Sequence, residues 1–206
     1  MRSIYEPFLG CLNELMDQTA AELKAYNAEI KERTGEGIYE HISARIKSEE
    51  SMREKCARKE LPPTAQSALA VITDAIGIRV VTRFIDDIYE IAAFLRTLPG
   101  TELVREKDYI RHAKPNGYRS YHMILRREFP FPDVQGDNPG HFYIEVQLRT
   151  LAMDSWASLE HQLKYKKDIP ARNLIVSELK RCADELASCD LSMQTIRNLI
   201  REEESL

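Results

Sequence analysis

The chain has 206 residues, 43% of them apolar and 30% charged, with a formal net charge of −4. That length supplies one sizeable core with room for helical extensions, and the apolar share excludes a disordered chain. The acidic balance argues against bulk electrostatic binding of nucleic acid, although basic residues gather at 105–119 and 164–167, a local pattern that suits a small anionic ligand.

The N-terminal apolar residues Phe8, Leu12, Leu15, Thr19, Leu23, Tyr26 and Ile30 form one helical stripe that ends near Gly35-Glu36-Gly37. An extended segment follows over Ile38–Ile46. Ser51 with Glu54 has the capping-box pattern and opens a short basic helix through Lys59, which Leu61-Pro62-Pro63 terminates. A helical stretch from about Thr64 runs into Ile72–Gly77, and Ile78–Val81 reads as a buried strand, placing Asp74 near a helix-to-strand junction. Asp86-Asp87 is expected to cap a helix whose core face is Ile88, Ile91, Leu95 and Leu98, before Pro99-Gly100. Thr101–Val104 is expected as a short strand and Arg105–Ala113 as a charged loop. Pro115-Asn116-Gly117 supplies a turn that feeds the strand Tyr121–Arg127. Phe129–Gly140 reads as an irregular connection. From His141 to Thr150 the chain alternates, with Phe142, Ile144, Val146 and Leu148 on one face and Tyr143, Glu145, Gln147 and Arg149 on the other. A helix from Leu151 to Tyr165 carries Trp156, Glu160 and His161. Beyond Pro170, Ile175, Leu179, Cys182, Leu186, Cys189, Met193, Ile196 and Ile200 form a heptad-like seam. Packing within the chain and packing between molecules fit such a seam equally; its length favours a homo-oligomer. The pattern predicts an α+β fold, a mixed sheet flanked by helices with helical extensions at both ends: 1–37, a core over 38–168, and 169–206.

No apolar run approaches the roughly 18 residues of a membrane span, and no signal-peptide pattern opens the chain, so a cytoplasmic protein is expected. Cys11, Cys56, Cys182 and Cys189 lack metal-site spacing and are expected to be reduced packing residues. HExxH, His-Asp, GxxxxGK[ST] and GxSxG patterns are all absent. A nucleotide site must therefore be assembled from scattered side chains. Asp74 and Glu145, if brought together, could hold Mg²⁺, and Glu145 could accept a proton from a nucleophilic hydroxyl. The cations Arg45, Lys47, Arg53, Lys55, Arg58, Arg79, Lys107, Lys114 and Arg119 outnumber what two carboxylates need and suit a polyphosphate. For Lys114–His122 alone, a solvated hairpin and a nucleotide contact are equally good readings.

Ordered motifs from Ile38 to Lys166 make the chain resemble the RelA/SpoT-type alarmone synthetases, specifically the small, single-domain ones. They are His41–Lys47 with Ser51, Asp74–Val80, Arg105–Tyr109, Lys114–His122, and Glu145–Thr150 running into Trp156 and Glu160-His161. The resemblance implies a nucleotidyltransferase-like fold and transfer of the β,γ-pyrophosphate of ATP to the ribose 3′-hydroxyl of GDP or GTP, giving ppGpp or pppGpp and AMP. It makes Asp74 a Mg²⁺ ligand and Glu145 a second ligand or general base. It puts Arg45 and Arg79 around adenine and Lys47, Ser51 and Arg58 on the donor phosphates. Tyr118 would stack on guanine, Lys107, Lys114 and His122 would meet acceptor phosphates, and Asn116, Gln147 and Asp154 would lie in the acceptor neighbourhood. Some members carry Asn where this chain has Asp154, and an ionised carboxylate only accepts. Arg105–Asp108 matches a pattern linked to acceptor preference. The resemblance also implies a homotetramer and, without an HD hydrolase segment or regulatory C-terminal domain, a synthetase that does not degrade its product. An allosteric alarmone site, shared by only some relatives, and single-stranded RNA stay open as regulatory partners. Transfer to adenine nucleotides or the tRNA 3′ end, and a catalytically silent binding module, remain as alternatives.

Overall fold

Strand alternation decides which residues the fold offers to a ligand. The computed structural model describes residues 3–164 and 172–204. Five strands, β1 (His41–Ile46), β2 (Ile76–Thr82), β3 (Thr101–Asp108), β4 (Tyr121–Phe129) and β5 (Gly140–Thr150), hydrogen-bond in the order β1-β2-β5-β4-β3. Only β2 and β5 pair in parallel, which makes the sheet mixed. A parallel pair needs a crossover, and α3 (Ile85–Thr97) with β3 and β4 lies between the two in sequence.

On one face Ile76, Ile78, Val80, Met123, Leu125, Ile144, Val146 and Leu148 are buried. The helices α1 (Leu9–Thr34) and α3 close over them, adding Leu12, Leu15, Leu23, Ile88, Ile91 and Leu95 to the same cluster. Each such side chain contributes about 1.5–3 kcal/mol when removed from water. Ile4, Tyr5 and Phe8 also join it, so the N-terminal segment is part of the core. Gly35 ends α1 in the left-handed conformation (φ 83°), its N–H bonded to the Lys31 carbonyl. The register pairs Gly77 with Glu145, Arg79 with Gln147 and Gln147 with His122, which gathers these residues on the opposite, open face.

Three elements differ from expectation. The cap of α2 (Glu49–Arg58) is Ser48, whose side chain accepts from the Ser51 N–H, so Ser51 lies inside the first turn. The helical stretch after Thr64 is a single π-helical turn, Ser67–Val71, because the chain turns extended at Ile72 to enter β2. Strand β3 continues through Arg105, Glu106 and Lys107 to Asp108, where a loop was expected. It is an edge strand, and one of its long sides faces solvent, so charged side chains are tolerated there.

The last two helices are α4 (Leu151–Lys164) and α5 (Arg172–Glu204). Residues 165–171, which include most of the basic stretch and Pro170, lie outside the described residues. Helix α5 docks through Ala183, Asp190 and Gln194, which are buried, and through Arg197. Here Asp86 and Asp87 depart from their expected capping role. Neither caps α3; Asp86 exchanges hydrogen bonds with Gln194, and Asp87 binds Arg197 at 2.5 Å. The docked stripe lies one residue along from the apolar seam, which leaves Met193, Ile196 and Ile200 exposed. The same offset exposes Cys189, expected to pack; Cys11 and Cys56 are buried, and all four cysteines are free. No helix among the described residues is long and apolar enough to cross a membrane.

Asp190 accepts the Thr150 hydroxyl at 2.6 Å, and burial pushes its carboxyl above the usual carboxylate range. A raised acid pKa means the native state binds its proton more readily than the unfolded chain, so this group lowers stability as pH rises. Asp190→Asn keeps an acceptor for Thr150 and removes the charge. It is expected to raise stability by about 1 kcal/mol at neutral pH, shifting the melting midpoint by roughly 2–4 °C. The gain should vanish below the ordinary carboxylate range, where both states are protonated; denaturation curves across pH test this.

Candidate active site

Asp74 stands where the chain leaves the π-helical turn and enters β2. Its Oδ2 is 2.5 Å from Lys55 Nζ on α2 and 2.9 Å from Lys47 Nζ at the end of β1. Burial pushes this carboxyl up, and hydrogen bonds and charge from Lys55 and Lys47 outweigh it, leaving the group below its ordinary range. The other oxygen, Oδ1, is buried and has no hydrogen-bond partner. A buried carboxylate oxygen without a donor is rare in a native fold and points to a partner outside the chain.

Asp74 and Lys47 border a cavity of about 160 Å³ on the open face, with Ser43, Arg45, Gly77, Arg79, Glu145 and Gln147. In the antiparallel register Arg45 pairs with Gly77 and Ser43 with Arg79, making the two arginines diagonal neighbours on one face. Gly77 lies beside both. A Cβ there would approach only the Arg45 carbonyl, at 3.8 Å, so the space over Gly77 is open.

Glu145 lies on the next strand. Its Oε2 accepts from Gln147 Nε2 at 3.1 Å, and its Oε1 lies 3.6 Å from His122 Nδ1. Burial raises its pKa; His122 and, more weakly, Gln147 lower it, and the net displacement is downward, with Asp74 opposing. The carboxylate also borders a second cavity of about 250 Å³, together with Arg105, Lys107, Tyr109, Lys114 and His122. Glu145 is thus a wall shared by two cation-lined spaces.

Lys114 and His122 border the second space, whereas Asn116 and Tyr118, between them in the chain, border neither cavity. Gly117 N–H bonds to the Lys114 carbonyl and Lys114 N–H to that of Tyr118, closing the turn. Lys114 Nζ lies 4.6 Å from the Tyr109 ring centre and 4.7 Å from that of Tyr118. Tyr121, the first residue of β4, is buried and donates its hydroxyl to Glu106. Other side chains are already engaged. Asn116 donates to Glu160 and accepts from the Tyr118 N–H; His122 Nε2 meets the Tyr118 hydroxyl at 2.8 Å; Asp154 Oδ1 is shared by Arg149 at 2.9 Å and Arg79 at 3.4 Å. Ser51 and Arg58 border neither cavity, although the helical period puts them on the face of α2 that carries Lys55.

Lys55, read from sequence only as one of the cations that suit a polyphosphate, belongs to this constellation through Asp74, and so do Tyr109 and Arg149, to which the sequence assigned no individual role. The spacing Ser51, Lys55, Arg58 was a usable signal for the first. Arg149 shares the alternating face of Glu145 and Gln147. Tyr109 closes the Arg105–Tyr109 motif, which carried no role for the tyrosine itself.

Comparison with known proteins bears on this arrangement. The family model described as a region found in RelA / SpoT proteins matches residues 44–170. The chain belongs to the RelA/SpoT family. It is 36% identical to the GTP pyrophosphokinase YwaC of Bacillus subtilis over 163 residues, covering 79% of this chain and 76% of that protein. With the GTP pyrophosphokinase YjbM of the same bacterium, identity is 29% over 198 residues, 96% of this chain and 90% of the relative. The crystal structure of small alarmone synthetase 1 from Bacillus subtilis bound to its product pppGpp superimposes with a TM-score of 0.81 at 29% identity, covering 95% of this chain and 97% of that one. The mixed sheet with flanking and terminal helices is therefore the fold of the small RelA/SpoT synthetases.

Proposed function

We propose that this protein is a (p)ppGpp synthetase, transferring the β,γ-pyrophosphate of ATP to the ribose 3′-hydroxyl of GDP or GTP and releasing AMP. The observation that carries this reading is the position of Glu145 between two cation-lined cavities, which supports a donor and an acceptor meeting at this carboxylate. The relatives named GTP pyrophosphokinase, and the relative bound to pppGpp, favour a guanine nucleotide as acceptor over an adenine nucleotide or tRNA.

In this reading Arg45 and Arg79 hold adenine between them, and Lys47, Lys55, Ser51 and Arg58 meet the donor phosphates. Tyr118 stacks on guanine, with Asn116 and Asp154 shaping its surroundings, while Lys107, Lys114 and the edge of His122 face the acceptor phosphates. Glu145 takes the proton from the 3′-hydroxyl; the oxygen bonds to the β-phosphorus, and the bond from that phosphorus to the oxygen bridging it to the α-phosphate breaks, so AMP leaves. Gln147 fixes the carboxylate that receives the proton. Asp74 and Glu145 would hold Mg²⁺, and the unpartnered Asp74 Oδ1 fits that use. Among the described residues no group of three or more His, Cys, Asp or Glu is placed to hold a metal, which suits a cation that takes one or two carboxylates and completes its shell with water and substrate phosphates. When bound, it would neutralise charge on the transferring pyrophosphate.

The exposed Leu191, Met193, Ile196, Leu199 and Ile200 on α5 support assembly into a homo-oligomer, a tetramer by family resemblance; the same resemblance is what favours the cytoplasm. Purified protein given Mg²⁺ and ATP with GDP, GTP and tRNA as competing acceptors should yield AMP and a 3′-pyrophosphorylated guanine nucleotide. Transfer confined to adenine nucleotides or tRNA, or no transfer by folded protein, would overturn the reading.

A further inference from the structure

Arg149 has the most connected side chain of the open face, yet it borders neither substrate cavity. It is only 6% exposed. Its Nη1 donates to Asp154 at 2.9 Å, while Nη2 donates to the Tyr118 hydroxyl at 2.8 Å and to Gln147 Oε1 at 3.0 Å. One planar fork therefore touches the first turn of α4, the acceptor loop and β5.

Donor chemistry gives these contacts a direction. A guanidinium only donates, so the Gln147 atom facing Arg149 must be the amide oxygen. The Gln147 amino group is then turned to Glu145, where it donates to Oε2 at 3.1 Å. That leaves Oε1 as the carboxylate oxygen next to His122. Without Arg149 the Gln147 amide can turn over and set its oxygen against Glu145, a repulsive contact. At the other end, the bond to the Tyr118 hydroxyl and the guanidinium carbon 5.3 Å from its ring centre hold the phenol in one orientation.

We propose that Arg149 is a positioning residue that ties acceptor recognition to the proton-accepting carboxylate: the same guanidinium orients the Tyr118 ring and, through Gln147, Glu145. This rests on the synthetase reading of the site. It assigns Arg149 no contact with either substrate, and it predicts an asymmetry: of its partners only Tyr118 is assigned to a substrate base, whereas Gln147, which lines the donor cavity, acts on Glu145, and Arg79 meets Asp154 only at 3.4 Å.

Steady-state kinetics of Arg149→Met and Arg149→Lys, with ATP and GDP varied separately, test it. Lysine keeps the charge and the aliphatic stem but cannot span Asp154, Tyr118 and Gln147 at once. Both variants are expected to raise the KM for GDP about tenfold or more and to lower kcat about tenfold, with the KM for ATP within about twofold of wild type. Melting midpoints measured alongside separate these effects from lost stability. Tyr118→Phe, which removes the hydroxyl, should raise the KM for GDP by itself and add less than its full effect when combined with Arg149→Met. Wild-type kinetics in Arg149→Lys, equal losses for ATP and GDP, or full additivity with Tyr118→Phe would each overturn the proposal while leaving the synthetase reading intact. A wild-type protein that transfers no pyrophosphate would overturn that reading and this inference with it.

Discussion

Glu145→Gln is expected to lower kcat about a thousandfold while the protein keeps its fold and still binds both nucleotides. The substitution is nearly isosteric, and the new amide oxygen can still accept from Gln147 Nε2, now 3.1 Å from Glu145 Oε2. What it loses is the capacity to take a proton from the 3′-hydroxyl. Glu145 is on a central strand, paired on one side with β2 through Gly77 and on the other with β4 through Ile124, so its backbone has little freedom to move. Loss of the negative charge also removes an electrostatic partner of His122 and one of the two carboxylates, with Asp74, that line the first cavity and are proposed to hold Mg²⁺. The KM values for ATP and GDP should move much less than kcat, because the proposed arrangement gives this side chain no contact with either base. Single-turnover transfer from labelled ATP, with circular dichroism as the folding control, gives the answer. A variant that retained more than a tenth of wild-type kcat would rule Glu145 out as the proton acceptor.

The parts of this site that could be read from sequence are those whose period is strict. His141–Thr150 alternates without interruption, so the facing of Glu145 and Gln147 follows from the period of a strand, and the strand forms over those residues. Helix α1 was legible for the same reason, its stripe ending at a glycine that takes positive φ. Polar packing was much less visible. The docked stripe of α5 consists of Ala183, Ala187, Asp190, Gln194 and Arg197, with the same four-and-three spacing as the apolar seam but one residue over. Hydrophobic periodicity finds the seam and is blind to the stripe, because Asp190, Gln194 and Arg197 dock through hydrogen bonds and ion pairs to Thr150, Asp86 and Asp87. Edge strand β3 escaped for a related reason. Its charged second half is held by backbone pairing with β4 and carries no apolar pattern. Arg149 shows the limit of single-residue reading, since its part depends on three partners from different elements.

Gly117→Ala is the second substitution expected to have a large effect, and its cause lies in α5. Gly117 is buried with φ at +92°, a conformation that costs an L-residue about 1–2 kcal/mol. An added Cβ would also lie 2.6 Å from the Ala183 Cβ, closer than two carbons can approach, and 3.4 Å from the Lys180 Cα. The loop is pinned to the helix beside this point, where Arg119 donates to the Ala183 carbonyl at 3.2 Å and to Asp184 at 3.1 Å. Backing the loop away from Ala183 would therefore strain these bonds and shift Tyr118, the next residue. The KM for the guanine nucleotide should rise about tenfold or more, with the KM for ATP little changed, since the donor cavity is built from β1, β2, β5 and the approach to β2. Ala183→Gly removes the atom that clashes, at a helix-propensity cost of about 1 kcal/mol, but leaves φ at 117 unfavourable for alanine. The double variant should therefore recover part of the acceptor affinity and fall short of wild type. Failure of Ala183→Gly to recover any of it would mean that the backbone conformation of the turn, and not its seat on α5, sets the position of Tyr118.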